Sequence, residues 1–269
     1  MRKMGVFVVL IALALGVWSA AAQDDAPPEV WQPAPGTTWQ IQLSHNEDID
    51  TSFDVAMYDI DLFDASPEVI DALHADGRVV ICYFSAGSFE DWRPDVDAFP
   101  PEVIGKAYEG WEGEWWLDIR QLDVLGPIME ARLDLAVEIG CDGVDPDNVE
   151  GYDAESGFPL TYADQLAFNL WLAEEAHARG LSVALKNDLG QIEDLVEVFD
   201  FQVNEECIQY RDCDDVMPFI EADKAVFSIE YQGDPASVCR KANRRDFSTL
   251  IKNLDLDAEV IAACWDVGA

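Results

Sequence analysis

The chain has 269 residues, 49% of them hydrophobic and nine of them Trp, which is ample material for a buried core and excludes disorder as a description of the whole. Its 54 acidic against 16 basic residues give a formal net charge of -38, a field that repels nucleic acid and anionic lipid and attracts cations. The length suits one (β/α)8 barrel, which typically needs about 250 residues.

Arg2 and Lys3, the apolar run from Val6 to Val17 and the small residues Ala20, Ala21 and Ala22 read as a secretory signal over residues 1–22. That run is shorter than the ~20 residues a spanning helix needs, so export is expected and no membrane association after cleavage. Residues 23–37 are rich in proline and read as a linker or an N-terminal strap, and 38–269 as a single barrel domain.

From Trp39 onward, short β-branched or aromatic runs alternate with helical patterns, the signature of βα units and a parallel sheet. Strands are expected at 38–44, 54–60, 78–85, 114–119, 143–147, 182–187, 200–205, 225–231 and 259–265, nine candidates for eight places. Helices are expected over Pro67–Ala75, Val124–Ile139, Tyr162–Arg179 and Asp214–Ala222, with Gly140 and Gly180 as left-handed stops. A doubly wound sheet would carry a glycine-rich phosphate loop after its first strand, and none is present.

Polar residues gather at the strands' C-terminal ends: Asp59 and Asp61, Ser85, Asp118, Asp145, Asp147 and Asn148, Lys186, Asn187 and Asp188, Asn204, Glu205 and Glu206, Glu230 and Tyr231. In a barrel these ends converge on one face, so one acidic pocket is expected there. Alternation puts Asp145 and Asp147 on the same side of their strand, with Asp147 nearer the mouth and Lys186 as the available cation. Glu205 and Glu206 point to opposite faces, and periodicity leaves open which one enters the pocket.

Cleaving a glycosidic bond takes one carboxylic acid to protonate the leaving oxygen and one carboxylate as nucleophile or base. Two strand ends supply such a pair, and Trp92, Tyr108, Trp111, Trp115, Trp116 and Tyr152 offer flat faces on which sugar rings stack. Of these, Trp92, Trp111 and Tyr152 lie in loops and are the stronger sugar contacts. Three scattered histidines, no CxxC and no EF-hand-like loop leave no metal or cofactor site expected. In an exported chain the six cysteines are disulfide candidates. Cys207 and Cys213 can staple one loop and Cys239 and Cys264 can tie the last helix to the final strand, whereas Cys82 and Cys141 are expected as core residues.

The strings WQIQLS, ICYFSAGSFEDWRPD, WWLDIR, CDGVDPDNVEGY, GLSVALKND and VNEEC, in this order from about Trp39 to Trp265, resemble glycoside hydrolase family 114, the endo-α-1,4-polygalactosaminidases. The resemblance implies a (β/α)8 barrel over 38–269 that hydrolyses an α-1,4-linked galactosamine polymer with an Asp and a Glu. By motif these are Asp147 and Glu205, with Asp145 and Glu206 as runners-up. By analogy Asp147 is the nucleophile and Glu205 the acid/base, giving retention. Asp118, Asp145, Asn148, Tyr152, Lys186, Asn187, Tyr83, Trp92 and Tyr231 are expected to bind the substrate, a cationic amino-sugar polysaccharide. The alternatives are a barrel that binds carbohydrate without cutting it and a hydrolase of a different α-linked glycan.

Overall fold

A computed structural model describes Met1 and residues 30–44 and 48–267. The expected signal segment after Met1 lies outside the described residues.

Twelve strands are described: β1 (Trp39–Gln42), β2 (Met57–Asp61), β3 (Val79–Ser85), β4 (Ser88–Glu90), β5 (Ile104–Ala107), β6 (Glu114–Leu117), β7 (Gly143–Asp147), β8 (Ser182–Lys186), β9 (Phe201–Glu205), β10 (Val226–Glu230), β11 (Ser248–Ile251) and β12 (Ala262–Ala263). Seven helices accompany them: α1 (Pro67–Ala75), α2 (Leu122–Ile139), α3 (Tyr162–Ala178), α4 (Ile192–Leu195), α5 (Cys207–Tyr210), α6 (Met217–Glu221) and α7 (Pro235–Asn243).

The main sheet has the order β1-β2-β3-β7-β8-β9-β10-β11-β12, parallel throughout except for the antiparallel β12. Its first eight strands curl into the expected barrel. The curl closes through side chains and loops: the Trp39 indole donates to the Ser248 carbonyl at 2.9 Å, the Lys252 ammonium to Gln40 Oε1 at 3.0 Å, and the Leu43 amide to the Leu256 carbonyl at 2.9 Å.

Alternation along each strand divides the core in two. Trp39, Ile41, Met57, Ile81, Ala184, Phe201, Val203, Phe227, Ile229 and Leu250 form the apolar cluster within the curl. Tyr58, Ile60, Val80, Phe84, Val144, Val183 and Leu185 face outward onto α1, α2 and α3. The helix ends follow local chemistry. Ser66 caps α1 ahead of Pro67, α2 stops at Gly140 in the left-handed conformation (φ 98°), and Thr161 and Asp164 form a reciprocal capping box on α3.

The structure changes three expectations. The 114–119 run is not a barrel strand: β6 pairs antiparallel with β4 and β5 in a separate small sheet. The eighth barrel strand is instead β11, whose sequence STLI is short and half polar, so it carried no apolar run; the 259–265 segment supplies only the two-residue β12. Cys82 and Cys141 are bonded to each other and tie β3 to the residue after α2's glycine stop, while the other two disulfides, Cys207–Cys213 and Cys239–Cys264, are those expected.

Residues 30–37 act as a strap. Trp31 packs edge-on against Phe201, Gln32 donates to Asp200, and the Pro33 carbonyl accepts the Ala225 amide at 2.8 Å, all at the N-terminal ends of β9 and β10. Trp39 is fully buried and makes the closing contact, so Trp39→Ala should cost about 3–5 kcal/mol in a denaturant titration. Trp39→Phe, which keeps an apolar ring and loses the bond to Ser248, should cost less; a midpoint unchanged by Trp39→Ala would contradict this role in closure.

Candidate active site

Asp147, Lys186 and Glu205 are the last residues of β7, β8 and β9, three neighbouring strands of the barrel. Each is followed at once by a residue with positive φ: Asn148 (61°), Asn187 (47°) and Glu206 (61°). Asn tolerates this region better than most residues, and a chain that turns there leaves the preceding side chain pointing into the mouth. Gly87 meets one of these turns so closely that a Cβ would lie 1.8 Å from the Asn148 carbonyl oxygen, which excludes any larger residue.

The Lys186 ammonium lies 3.1 Å from Asp147 Oδ2 and 3.2 Å from Glu205 Oε2. Its side chain is 3% exposed, against 15% for Asp147 and 26% for Glu205, so the cation is sealed below and the two carboxylates open to the cleft. Burial alone would push the Lys186 ammonium down, but Asp147, Glu205 and Asp145 together hold it well above the usual lysine range.

Further donors fix each carboxylate. Asp147 accepts from the Asn148 amide at 2.7 Å and the Tyr83 hydroxyl at 2.9 Å. Glu205 accepts a short hydrogen bond from the Tyr231 hydroxyl and one from Asn187 Nδ2 at 3.3 Å, while Asn187 Oδ1 holds the Glu205 amide at 2.9 Å. Burial and the adjacent carboxylates raise both phenols, keeping them protonated as donors. The choice between the adjacent glutamates is thereby decided: Glu205 lines the cleft, and Glu206 takes the left-handed turn behind it.

The cleft encloses about 460 Å3. One wall is the small sheet and its loops, with Glu90, Trp92, Arg93, Tyr108, Trp111 and Glu114; the opposite wall is Leu43, Ser44 and Leu254 to Asp257. Arg93 fastens the small sheet to the barrel, bonding Glu90 through Nε at 2.7 Å and Asp61 of β2 through Nη1 at 2.8 Å. Arg132 of α2 does the same from behind, gripping Asp95 with two bonds and the Ser85 carbonyl with a third. Glu114, buried on β6, accepts from Ser88 and Asn148, and burial lifts it to about 7. Burial raises Glu150, which also lines the cleft, well above the usual carboxylate range.

Of the expected substrate contacts, Tyr83, Trp92, Asn148, Lys186, Asn187 and Tyr231 line this cleft. Asp118, Asp145 and Tyr152 are not among its lining residues. Asp118 is buried at the end of the small sheet, where Arg120 takes both of its oxygens and holds it below its ordinary value. Asp145 is completely buried one step below Asp147, because alternation returns a side chain to the interior two residues earlier. Tyr152 packs on Tyr162 and lies against Gly190 and Asp188, behind the strand ends. Asp61 was among the strand-end residues expected at the pocket and lines it. Glu90, Arg93, Glu114 and Glu150 were not singled out in the sequence; the first three depend on how the small sheet folds back, and Glu150 on the turn that follows β7. No group of three or more His, Cys, Asp or Glu among the described residues could hold a metal ion.

A barrel that presents two carboxylates from separate strand ends, side by side in an acidic, aromatic-rimmed cleft, has the equipment of a glycosidase. Residues 20–266 match the model of glycoside hydrolase family GH114. The chain belongs to glycoside hydrolase family 114 and is a glycoside hydrolase. It is similar to the crystal structure of Aspergillus fumigatus Ega3 in complex with galactosamine, with 44% identity over 86% of this chain and 96% of that one and a TM-score of 0.81. It shares its fold with the glycoside hydrolase domain of PelA from Pseudomonas aeruginosa at 11% identity, covering 83% of this chain and 97% of that one, with a TM-score of 0.69. Eubacterium rectale Amy13B is a more distant likeness in fold, at 11% identity and a TM-score of 0.56 over 83% of this chain and 66% of the other. A comparison with curated proteins gives no match.

Burial raises Glu230 to about 6, Glu114 and Asp145 to about 7 and Asp188 to about 8. Between about pH 4 and each of those values the folded chain holds protons that the unfolded chain has released, so stability falls as pH rises through that window. Asp118, held low by Arg120, acts in the opposite sense below that window. The thermal midpoint should therefore be higher near pH 5 than near pH 8 at constant ionic strength, and a midpoint that rises toward pH 8 would contradict the assignment of protonated buried carboxyls.

Proposed function

We propose that this enzyme is a secreted, endo-acting and retaining hydrolase of an α-1,4-linked, galactosamine-containing polysaccharide, with Asp147 as nucleophile and Glu205 as acid/base. The observation that carries the reading is the shared ammonium of Lys186. Contacts of 3.1 and 3.2 Å hold one oxygen of each carboxylate on the same ammonium, which favours the short separation of retaining enzymes, ~5 to 5.5 Å, over the ~6.5 to 9.5 Å at which inverting enzymes make room for water. That closeness supports direct attack by one carboxylate on the sugar.

Asp147 is the less exposed of the two and is held in place by full-strength bonds from a backbone amide, a phenol and the ammonium, the fixed orientation an attacking oxygen needs. Glu205 is the more open, where it can pass a proton to the leaving oxygen and then accept one from water. In the first step Asp147 Oδ bonds to the anomeric carbon as the glycosidic bond breaks, and the Glu205 proton goes to the departing oxygen. In the second, water gives a proton to Glu205 as its oxygen displaces Asp147.

The galactosamine of the Ega3 complex supports an amino-sugar substrate, and the cleft's charge agrees. Asp61, Glu90, Asp255 and Asp257 line it beside the proposed catalytic pair, while its two cations, Arg93 and Lys186, are already held by carboxylates. A cationic polymer is attracted to such a field. The cleft runs from Trp92 and Trp111 on one wall to Leu254 on the other, and an open groove suits binding within a chain. Export is supported by the expected signal segment and the three disulfides; no described helix is long and apolar enough to cross a membrane.

On a deacetylated α-1,4-galactosamine polymer, the enzyme should release oligomers whose first-formed reducing ends are α by NMR. Asp147→Asn and Glu205→Gln should each lower kcat by about 10²–10⁴-fold with the fold intact. Undiminished turnover by either variant would remove the assignment, and β product would exclude retention. Turnover of neutral but not amino polysaccharides would change the substrate; binding with no turnover by the parent enzyme would make the barrel a binding module.

A further inference from the structure

The acids that line the cleft differ in what holds them. Arg93 takes Asp61 and Glu90, and Lys186 takes Asp147 and Glu205. Glu114 accepts from Ser88 and Asn148. At the rim, Asp257 accepts from Asn253 and from the Glu259 amide, and Asp255 stands open to water. Glu150 has none of these. Neither of its carboxyl oxygens accepts a hydrogen bond from a described residue, Oε2 is sealed off, and the half-buried side chain lines the cleft. A carboxyl in this position is costly to leave without a partner, and the partner it lacks is one that a molecule in the cleft can bring.

Packing fixes where this carboxyl stands. Glu150 follows the end of β7 closely, and its carbonyl accepts the Asp153 amide at 3.0 Å, which closes a helical turn over Gly151–Asp153. The Trp116 ring of β6 lies against Gly151, 3.3 Å from where a Cβ would stand, and Tyr108 packs on Trp116 with ring centroids 4.7 Å apart. The segment after β7 is thereby wedged against the small sheet. Glu150 is held on the turn that begins at Asp147, and Tyr108 joins it in the cleft lining. Burial and the charge of Asp147 favour its protonated form, so a cation arriving from the cleft supplies what its ionised form needs, and a neutral group does not.

We propose that Glu150 is the residue that selects amino sugars: its carboxyl takes the 2-ammonium group of one galactosamine unit in the cleft and disfavours the N-acetylated unit at that place. This rests on the reading of the substrate as a galactosamine polymer. The ammonium brings several donors and a positive charge; on pairing, the carboxyl proton leaves to solvent and a charge-assisted hydrogen bond remains. An acetamide brings one N–H, no charge and added bulk, and a hydroxyl brings a donor without a charge. Selection then comes from a polar group that the wrong sugar leaves unpaired, which discriminates more strongly than an apolar pocket does. Because Glu150 shares its turn with Asp147, the amine is read at a fixed place relative to the cut.

The test is the composition of the products cut from a partly N-acetylated α-1,4-galactosamine polymer, read by mass-spectrometric sequencing of the oligomers. The parent should leave the free amine, almost without exception, at one position beside the new ends. With Glu150→Gln, which conserves shape and removes the acid, acetylated units should enter that position about 10–100-fold more often relative to free ones. Identical compositions from the parent and Glu150→Gln would overturn the proposal, as would a parent with no preference at any position. So would a fall in rate with unchanged composition, which is what a structural role alone produces. Should Glu150→Gln not fold, Glu150→Asp decides: it withdraws the acid by one methylene, should admit acetylated units at that position, and overturns the proposal if its products match the parent's. A parent that leaves the amino polymer uncut removes the substrate reading itself, whereas a parent that cuts it with a composition Glu150→Gln does not alter removes this inference alone.

Discussion

The site depends on one buried ammonium. Two carboxylates brought to strand ends on either side of β8 repel each other, and in a region partly sheltered from water that repulsion is strong. Lys186 sits between them at 3.1 and 3.2 Å, itself sealed from solvent, and this makes their close approach tolerable. The dependence is mutual: without the carboxylates, burial would favour losing the lysine's proton. Such a triad is stable only as a unit, and it is this unit to which we assign the chemistry at the glycosidic bond.

Barrel and turns divide the task of building this unit. Parallel strands bring β7, β8 and β9 side by side, and their last residues reach the mouth together. The left-handed residue after each one ends the strand sharply, so the side chain is presented from rigid sheet and not from a loop. Asn187 uses both ends of its amide on Glu205, and Asn148 uses its backbone on Asp147 and its side chain on Ser88 and Glu114. These turn residues therefore join the carboxylate pair to the wall of the cleft.

That wall is an insertion between β3 and α2, and it changes a generic barrel mouth into a walled acidic groove. Its attachments are ionic and buried: Arg93 to Asp61 and Glu90, Arg132 to Asp95. Removing one partner from pairs of this kind leaves an uncompensated charge, so the small sheet is held to a defined position even where it lacks a large core of its own. The acidity of the chain thus has two parts, a solvated surface and a set of buried carboxyls whose protonation is part of the architecture.

Much of this was legible along the chain. Alternating strand and helix patterns pointed to a parallel barrel, local spacing suggested two of the three disulfides, and strand-end position marked Lys186 and the Asp145, Asp147, Glu205 and Glu206 carboxylates, among which the family resemblance selected Asp147 and Glu205. These are properties of short stretches, governed by periodicity and by which residues turns accept. What the tertiary structure decided was which groups meet. The stagger of neighbouring strands buried Asp145 below the cleft, the turn after β9 placed Glu205 and not Glu206 in its lining, and the folding back of β4–β6 brought Glu114 into the cleft and left Asp118 outside it. Contacts between distant segments depend on register and on closure of the ring. Neither quantity is written in any local pattern, because each is settled only when all the strands pack at once.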